Sequence, residues 1–328
     1  MRLTIEQARG LAERAMRSIG HDPDEARLIA DHLMDCELRG VTYGGLARAI
    51  SIAERIGETG VSAQPIRIVK ETPVSASIDG GDRIGYVVAH RAMLLAIDKA
   101  AGTGLAIVGA HNTWYTGMLS YYAEMAAARG LVSLIASNAS PWVAPYGATE
   151  GRFGTNPICV GFPSADGSVI WDIGTSAIMH AEVKLADRLG QQLPEGVAFD
   201  AAGRPTRDPV AALEGAFAAW GGHKGSGLGM VVQLLGVLAG SPALPPELAG
   251  FGMVVIAVRP DLLTDPDDFA RSVAAYADSV RGARHVEGGP AVRMPFDRSR
   301  AERKRRMAED AIEVPDAIYS KLAEIGEP

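Results

Sequence analysis

Two glycine-containing loops carry residues whose types and spacing could do chemistry. The first, Gly221-Gly222-His223-Lys224-Gly225-Ser226-Gly227, leads into a long apolar helix predicted over His223–Ala239. Its glycines allow close backbone approach, and Lys224 and the helix N-terminus present positive potential to a phosphate. A flexible turn with His223 and Lys224 solvated is the plainer reading of the same residues. The second loop, Gly154-Thr155-Asn156-Pro157, precedes a strand. It offers a hydroxyl and backbone N–H groups to a carboxylate, or is simply a turn held by Asn156. Other chemistries find no residues. No G-x-G-x-x-G opens a helix after a strand; Gly102-Thr103-Gly104 precedes a strand and lacks the third glycine. There is no P-loop string, no C-x-x-C and no nucleophile elbow, and the seven histidines lack metal spacing.

The elements that must position these loops alternate in type. Thr4-x-x-Gln7 forms a capping box for a first helix, and Asp22-Pro23-x-Glu25 opens a second that Gly40 can end. A third runs from about Leu46 to Ile56, so the first 60 residues read as a helical region. After Pro73 come a helix over Tyr86–Ala101, a strand over Gly104–Gly109, a helix over Met118–Arg129 and a strand over Leu131–Ala136. Strands over Ile158–Phe162 and Ser168–Asp172 follow, the latter running into a helix start at Thr175-Ser176. Residues 187–222 read as an excursion with turns at Asp200–Gly203 and Thr206–Pro209. Met253–Val258 is a strand, Asp265-Pro266 starts a helix to about Arg281, and two short helices surround Arg300 and Ile318. This alternation indicates an α/β or α+β core.

Composition narrows the function classes. The chain has 328 residues, enough for two domains or one elaborate one. Its 47% hydrophobic and 22% charged residues are globular proportions, which excludes disorder as the main state. A net charge of −7 supplies no field for nucleic acid or an anionic membrane. The one basic run, Arg298–Arg306, is either a solvated helix face or a phosphate clamp. Two distant cysteines, Cys36 and Cys159, exclude a disulfide framework and fit a reducing cytoplasm. The N-terminal stretch has no apolar signal core, and no apolar run reaches about 18 residues, so no membrane span is expected.

Several strings, taken together, resemble the malate/L-lactate dehydrogenase family of non-Rossmann oxidoreductases, which includes ureidoglycolate and sulfolactate dehydrogenases and cyclic-imine carboxylate reductases. They are Arg39–Arg48, Val143–Gly147, Gly154–Pro157, Trp171–Ser176, Leu193–Gly196 through Asp200–Gly203, Ala212–Gly215 and Gly221–Gly225, in the family's order across about residues 5 to 310. The resemblance implies a mixed α/β fold with a largely antiparallel central sheet. It implies a helical substrate-side region, 1–75, packed with 241–328, and a cofactor domain, 76–240. It also implies a homodimer that binds NAD(H) or NADP(H) near the subunit boundary, with NADP(H) favoured because Lys224 and the C-terminal arginines could neutralise an extra phosphate. Arg48 and Thr155 match positions that hold the substrate carboxylate, and an Arg fork suits a 2-oxo acid. Thr116, Gly117, Ile173, Gly174, Thr175, Ser176, His223, Lys224, Gly225 and Arg303 match the cofactor contacts.

One departure bears on the chemistry. The family's catalytic Ser-His pair falls on Tyr43 and Gly44, and a second family histidine falls near Tyr115, within Asn112–Gly117. Glycine cannot donate a proton, and general acid catalysis is typically worth about 10²–10⁴-fold. Three readings follow. A tyrosine, Tyr43 or Tyr115, acts as the acid. Alternatively the substrate is an imine, whose iminium form already carries the proton, with Glu182 stabilising the cation. Or the chain binds cofactor without turnover. The imine reading is favoured: hydride transfer between nicotinamide and a small 2-oxo or 2-imino carboxylate, with amine formation preferred.

Overall fold

The computed structural model describes residues 1–327. After a two-residue strand β1 (Arg2–Leu3), the chain forms α1 (Ile5–Ser18), α2 (Pro23–Leu38) and α3 (Leu46–Thr59). The two expected caps are present. Thr4 and Gln7 form a reciprocal capping box on α1, and Asp22 accepts from the N–H groups of Asp24 and Glu25 on α2. These satisfy donors that a helix start leaves without partners.

Next come β2 (Arg67–Glu71), β3 (Ser75–Ile84), α4 (Gly85–Thr103), β4 (Leu105–Trp114), α5 (Ser120–Ala127), β5 (Val132–Ser137), β6 (Ile158–Phe162) and β7 (Val169–Ile173). The excursion contributes α6 (His180–Arg188), β8 (Ala198–Phe199), α7 (Pro209–Glu214) and β9 (Ala216–Phe217). The remainder is α8 (His223–Leu238), β10 (Phe251–Val258), α9 (Pro266–Arg281), α10 (Asp297–Glu309), β11 (Ile312–Glu313) and α11 (Asp316–Gly326).

Seven strands make the main sheet, in the order β2-β3-β4-β10-β5-β6-β7. Only β3 and β4 pair in parallel; the other neighbours are antiparallel. The fold is therefore mixed α/β with a largely antiparallel sheet, as expected. Its β4, β10 and β5 residues bury Val108, Val255 and Ile135 against Met93 and Ile97 of α4 and Tyr122 of α5. A second core joins α1, α2 and α3 to the chain's end, where β1 pairs with β11 and α11 buries Ile318 and Leu322.

Of the segment 241–328 expected to group with the N-terminal helices, α10 packs against α2 and α11 against α1 and α3, whereas β10 lies in the main sheet. β10 is the central strand of the main sheet, because Phe251–Val258 is apolar on both faces and needs cover on both. The helix expected at Thr175-Ser176 starts instead at His180. The amide and hydroxyl of Thr175 are committed to Thr155 O, at 2.9 and 3.3 Å.

An ion-paired cluster ties α2 to the sheet. The Glu25 carboxylate contacts Arg83 and lies 3.3 Å from His21 Nδ1. Burial raises its pKa, but hydrogen bonds from His21 and Arg83 outweigh burial and hold it at about 2. A depressed carboxylate stabilises the fold above its ordinary pKa, and that contribution is lost as pH falls. Glu25→Gln is therefore expected to be less stable than the parent at pH 6 by about 2 kcal/mol once screening is allowed for. The gap should close as pH falls from about 4.5 towards 2. Urea melts across that range check it.

Candidate active site

A cleft of about 570 Å³ lies between the N-terminal helices and the main sheet. On one side stand a tight helical turn at Thr42–Gly44 and Arg48 of α3. Glu37 builds that turn: its Oε1 accepts the Leu46 N–H at 2.7 Å, and burial pushes its pKa up to about 7. A Cβ at residue 45 would lie 2.3 Å from the same oxygen, so this position requires glycine.

The Arg48 guanidinium sits 4.2 Å from the centre of the Tyr115 ring. Its Nη1 is buried and has no hydrogen-bond partner among the described residues. A buried donor left unpaired costs about 1–3 kcal/mol, more when charged. Such a group persists where a ligand completes it, and a carboxylate matches the fork.

Tyr115 follows β4 with φ of +49°, a conformation non-glycine residues rarely adopt. The strain sits at the cleft wall, where such outliers concentrate. Burial pushes the Tyr115 phenol above its ordinary range, with Arg48 opposing. Burial also raises Tyr43, and the charges of Glu182, Cys36 and Asp172 add to it. Both phenols are thus weaker acids than free tyrosine.

Opposite Arg48, Thr155 is buried in the wall. Its turn is pinned by Asn156, at φ +38°, whose side chain accepts from Ala139 N–H and donates to Gly229 O and Gln233 Oε1 of α8. Asn156 therefore fixes the turn, and Thr155 lies in the cleft wall.

Thr116, Gly117, Ile173, Gly174 and Ser176 also line the cleft. Gly117 has φ +75°, and a Cβ there would lie 2.5 Å from His32 Nε2. At Gly174 a Cβ would lie 2.4 Å from Met179 Sδ. Thr175 belongs to the core instead, bonded to the Thr155 and Asn156 carbonyls.

His223 and Lys224 are exposed at the start of α8, outside the wall, while the neighbouring Trp220 lines it. Gly225 is buried beneath them, where a Cβ would meet Trp220 O at 1.6 Å. Two further expectations need correction. Glu182 does not reach the cleft wall, because its Oε2 accepts the Met179 N–H at 2.8 Å and caps α6. Arg303 is occupied by Asp35 at 3.2 Å and Glu124 at 3.3 Å, beside the fully buried Arg39. The arginine of this segment that does line the cleft is Arg298.

Sequence reasoning also missed His180, Trp142, Asn138 and Asp172, which line the cleft. The Asp172 carboxylate accepts the Ser120 N–H at 2.7 Å, and burial raises its pKa. Asn138 donates to Ser241 and accepts from Gly252 N–H. None of these has a spacing signature; they converge only in the folded chain.

A family model described as malate/L-lactate dehydrogenase matches residues 3–323. The chain belongs to this family. It is accordingly a dehydrogenase or reductase, in a group of nicotinamide-dependent hydroxy- and oxo-acid enzymes. It is 32% identical to an L-sulfolactate dehydrogenase of Methanothermobacter thermautotrophicus, over 98% of this chain and 95% of that one. It is also 32% identical to a Delta(1)-pyrroline-2-carboxylate/Delta(1)-piperideine-2-carboxylate reductase of Pseudomonas syringae pv. tomato, over 93% and 91%. Among solved structures, a dehydrogenase from Sinorhizobium meliloti superposes with a TM-score of 0.92 at 32% identity, covering 100% of this chain and 98% of that one.

The residues present fit a nicotinamide cofactor. Thr116, Gly117, Gly174 and Ser176 offer backbone and hydroxyl groups along the wall, Trp171 and Ile173 give an apolar face, and Arg298 supplies a cation. Among the described residues no group of His, Cys, Asp and Glu could hold a metal, and no helix is long and apolar enough to cross a membrane.

Proposed function

We propose that the chain reduces a small 2-imino carboxylate in preference to the corresponding 2-oxo acid, using NADPH or NADH. The observation that carries this reading is Arg48, which lines a cleft with glycine at position 44 and whose Nη1 is buried without a partner. A bound nicotinamide supplies the hydride. Arg48 and Thr155 hold the substrate carboxylate and so orient C2. An iminium C=N gains the hydride at C2 and becomes a neutral amine, so no acid is needed at that step. A ketone would need a proton on oxygen, and the two tyrosines nearest to hand are weakened as donors by burial. That disfavours a tyrosine acid. The Pseudomonas relative's name, an imine carboxylate reductase, supports the preference.

Lys224 and Arg298 are the cations we assign to the cofactor phosphates, with NADP(H) the better match. We further propose a cytoplasmic homodimer. Met230, Val231, Leu234, Val237 and Leu238 form one exposed apolar stripe along α8, the helix that His223 and Lys224 begin. A second copy of the chain would cover it, and sedimentation of the purified protein reports that directly.

Turnover of NADPH and NADH with 2-oxo acids, the same acids plus methylamine, and cyclic imine carboxylates tests the main reading. Oxidation of cofactor with imines is the expected outcome. Cofactor binding without turnover on any of these would favour a silent binding protein instead.

A further inference from the structure

We infer that His180 is a specificity-determining residue: its imidazole accepts a hydrogen bond from the substrate's C2 nitrogen while Arg48 holds the carboxylate. This deepens the function proposed above and rests on the carboxylate reading of Arg48. His180 begins α6, is 5% exposed and lines the same cleft as Arg48 and Thr155. Its ring stacks on the Trp142 indole, 4.1 Å between centroids and 11° from parallel, with Phe217 at 6.3 Å on a tilted approach. Trp142 is itself fixed, donating from Nε1 to Glu247 at 2.8 Å. The imidazole is therefore held in one orientation before any ligand arrives.

It is also unsatisfied. His180 Nδ1 is buried with no hydrogen-bond partner among the described residues, as is Arg48 Nη1. Two unpaired polar groups in one cleft define a ligand with two complementary features. Arg48 selects an anion. Burial, and then the charges of Arg48, Lys184 and Arg188, keep the His180 pKa well below its usual value. The ring is consequently neutral at physiological pH, and in the tautomer protonated at Nε2 the lone pair of Nδ1 is the group without a partner. An iminium or amine N–H beside the carboxylate satisfies that lone pair. A ring oxygen or a ketone in the same place has no hydrogen to give. His180 thus discriminates nitrogen from oxygen at C2 through binding, without having to protonate anything.

Two planar ligands test this without requiring turnover. Pyrrole-2-carboxylate places an N–H next to the carboxylate, and furan-2-carboxylate places an oxygen there. Calorimetry on the full chain, with and without NADPH, should show pyrrole-2-carboxylate binding about tenfold more tightly, the order expected for one hydrogen bond. His180→Phe keeps the stack on Trp142 and removes both nitrogens, so the preference should vanish. His180→Asn restores an acceptor and should recover part of it. Arg48→Lys should weaken both ligands by the same factor, which reads the carboxylate contact separately. Equal binding of the two ligands by the parent, binding of neither, or a preference that survives in His180→Phe would overturn the inference. Unchanged affinities for both ligands in Arg48→Lys would instead overturn the carboxylate reading beneath it.

Discussion

Arg48→Met is expected to lower kcat/KM for any carboxylate substrate by about 10²–10³-fold, since losing one side of a buried, hydrogen-bonded ion pair costs roughly 2–5 kcal/mol. The loss should fall mainly on KM if the contact is equal in ground and transition states, and on kcat as well if it aligns C2 for attack. Cofactor affinity should be unchanged. The decisive companion measurement is stability. In the free protein, Arg48 Nη1 satisfies no partner, and the guanidinium's described contact is the Tyr115 face. A purely structural arginine would take stability with it when removed. One kept for a ligand should leave the melting curve in place or raise it, because an uncompensated charge goes. A variant that unfolds readily while retaining its KM would contradict the role.

Gly44→His should create an activity rather than remove one. A Cβ at residue 44 would lie 3.4 Å from Cys36 Sγ and 3.6 Å from Val41 Cγ1, ordinary contact distances. The residue sits in a tight right-handed turn on the cleft wall, with no left-handed backbone to strain a side chain. A histidine there stands where the family's acid is expected. Reduction of 2-oxo acids should rise by about 10²-fold, the lower end of what a general acid contributes. Reduction of imines should change little, because that step consumes no proton. Rate profiles of both substrates with parent and variant separate the two effects. If ketone and imine rates rise together, the missing acid is not what sets the preference.

Much of the frame could be read from local sequence because the relevant forces are local. The capping residues Thr4, Gln7 and Asp22 act within one helical turn, and each does in the structure what its position implies. The glycine loop before α8 likewise leads into a helix at His223. What failed was decided at long range. β10 reads as a strand, but its place at the centre of the sheet depends on partners about 120 and 150 residues away in sequence. β2 is exposed along its length and carries no apolar alternation, so nothing announced it. In the Arg298–Arg306 run, charge alone could not distinguish an arginine on the cleft from one spent on Asp35 and Glu124. Glu182 looked like a cation stabiliser, yet it sits three residues into a helix and caps it. His180, two residues before Glu182, went unnoticed because its significance lies in a stacked indole and the absence of a partner. Neither leaves a spacing pattern.

The central claim is that this cleft reduces a C=N bond in preference to a C=O bond beside a carboxylate. The most direct measurement is the ratio of kcat/KM for a cyclic imine-2-carboxylate to that for the matching 2-oxo acid, in one assay with NADPH at neutral pH. The account predicts a ratio of at least about 10², the smallest usual worth of the acid that Gly44 cannot supply. A ratio near one, or one favouring the 2-oxo acid, would contradict it, and would mean that another group in the cleft protonates the oxygen.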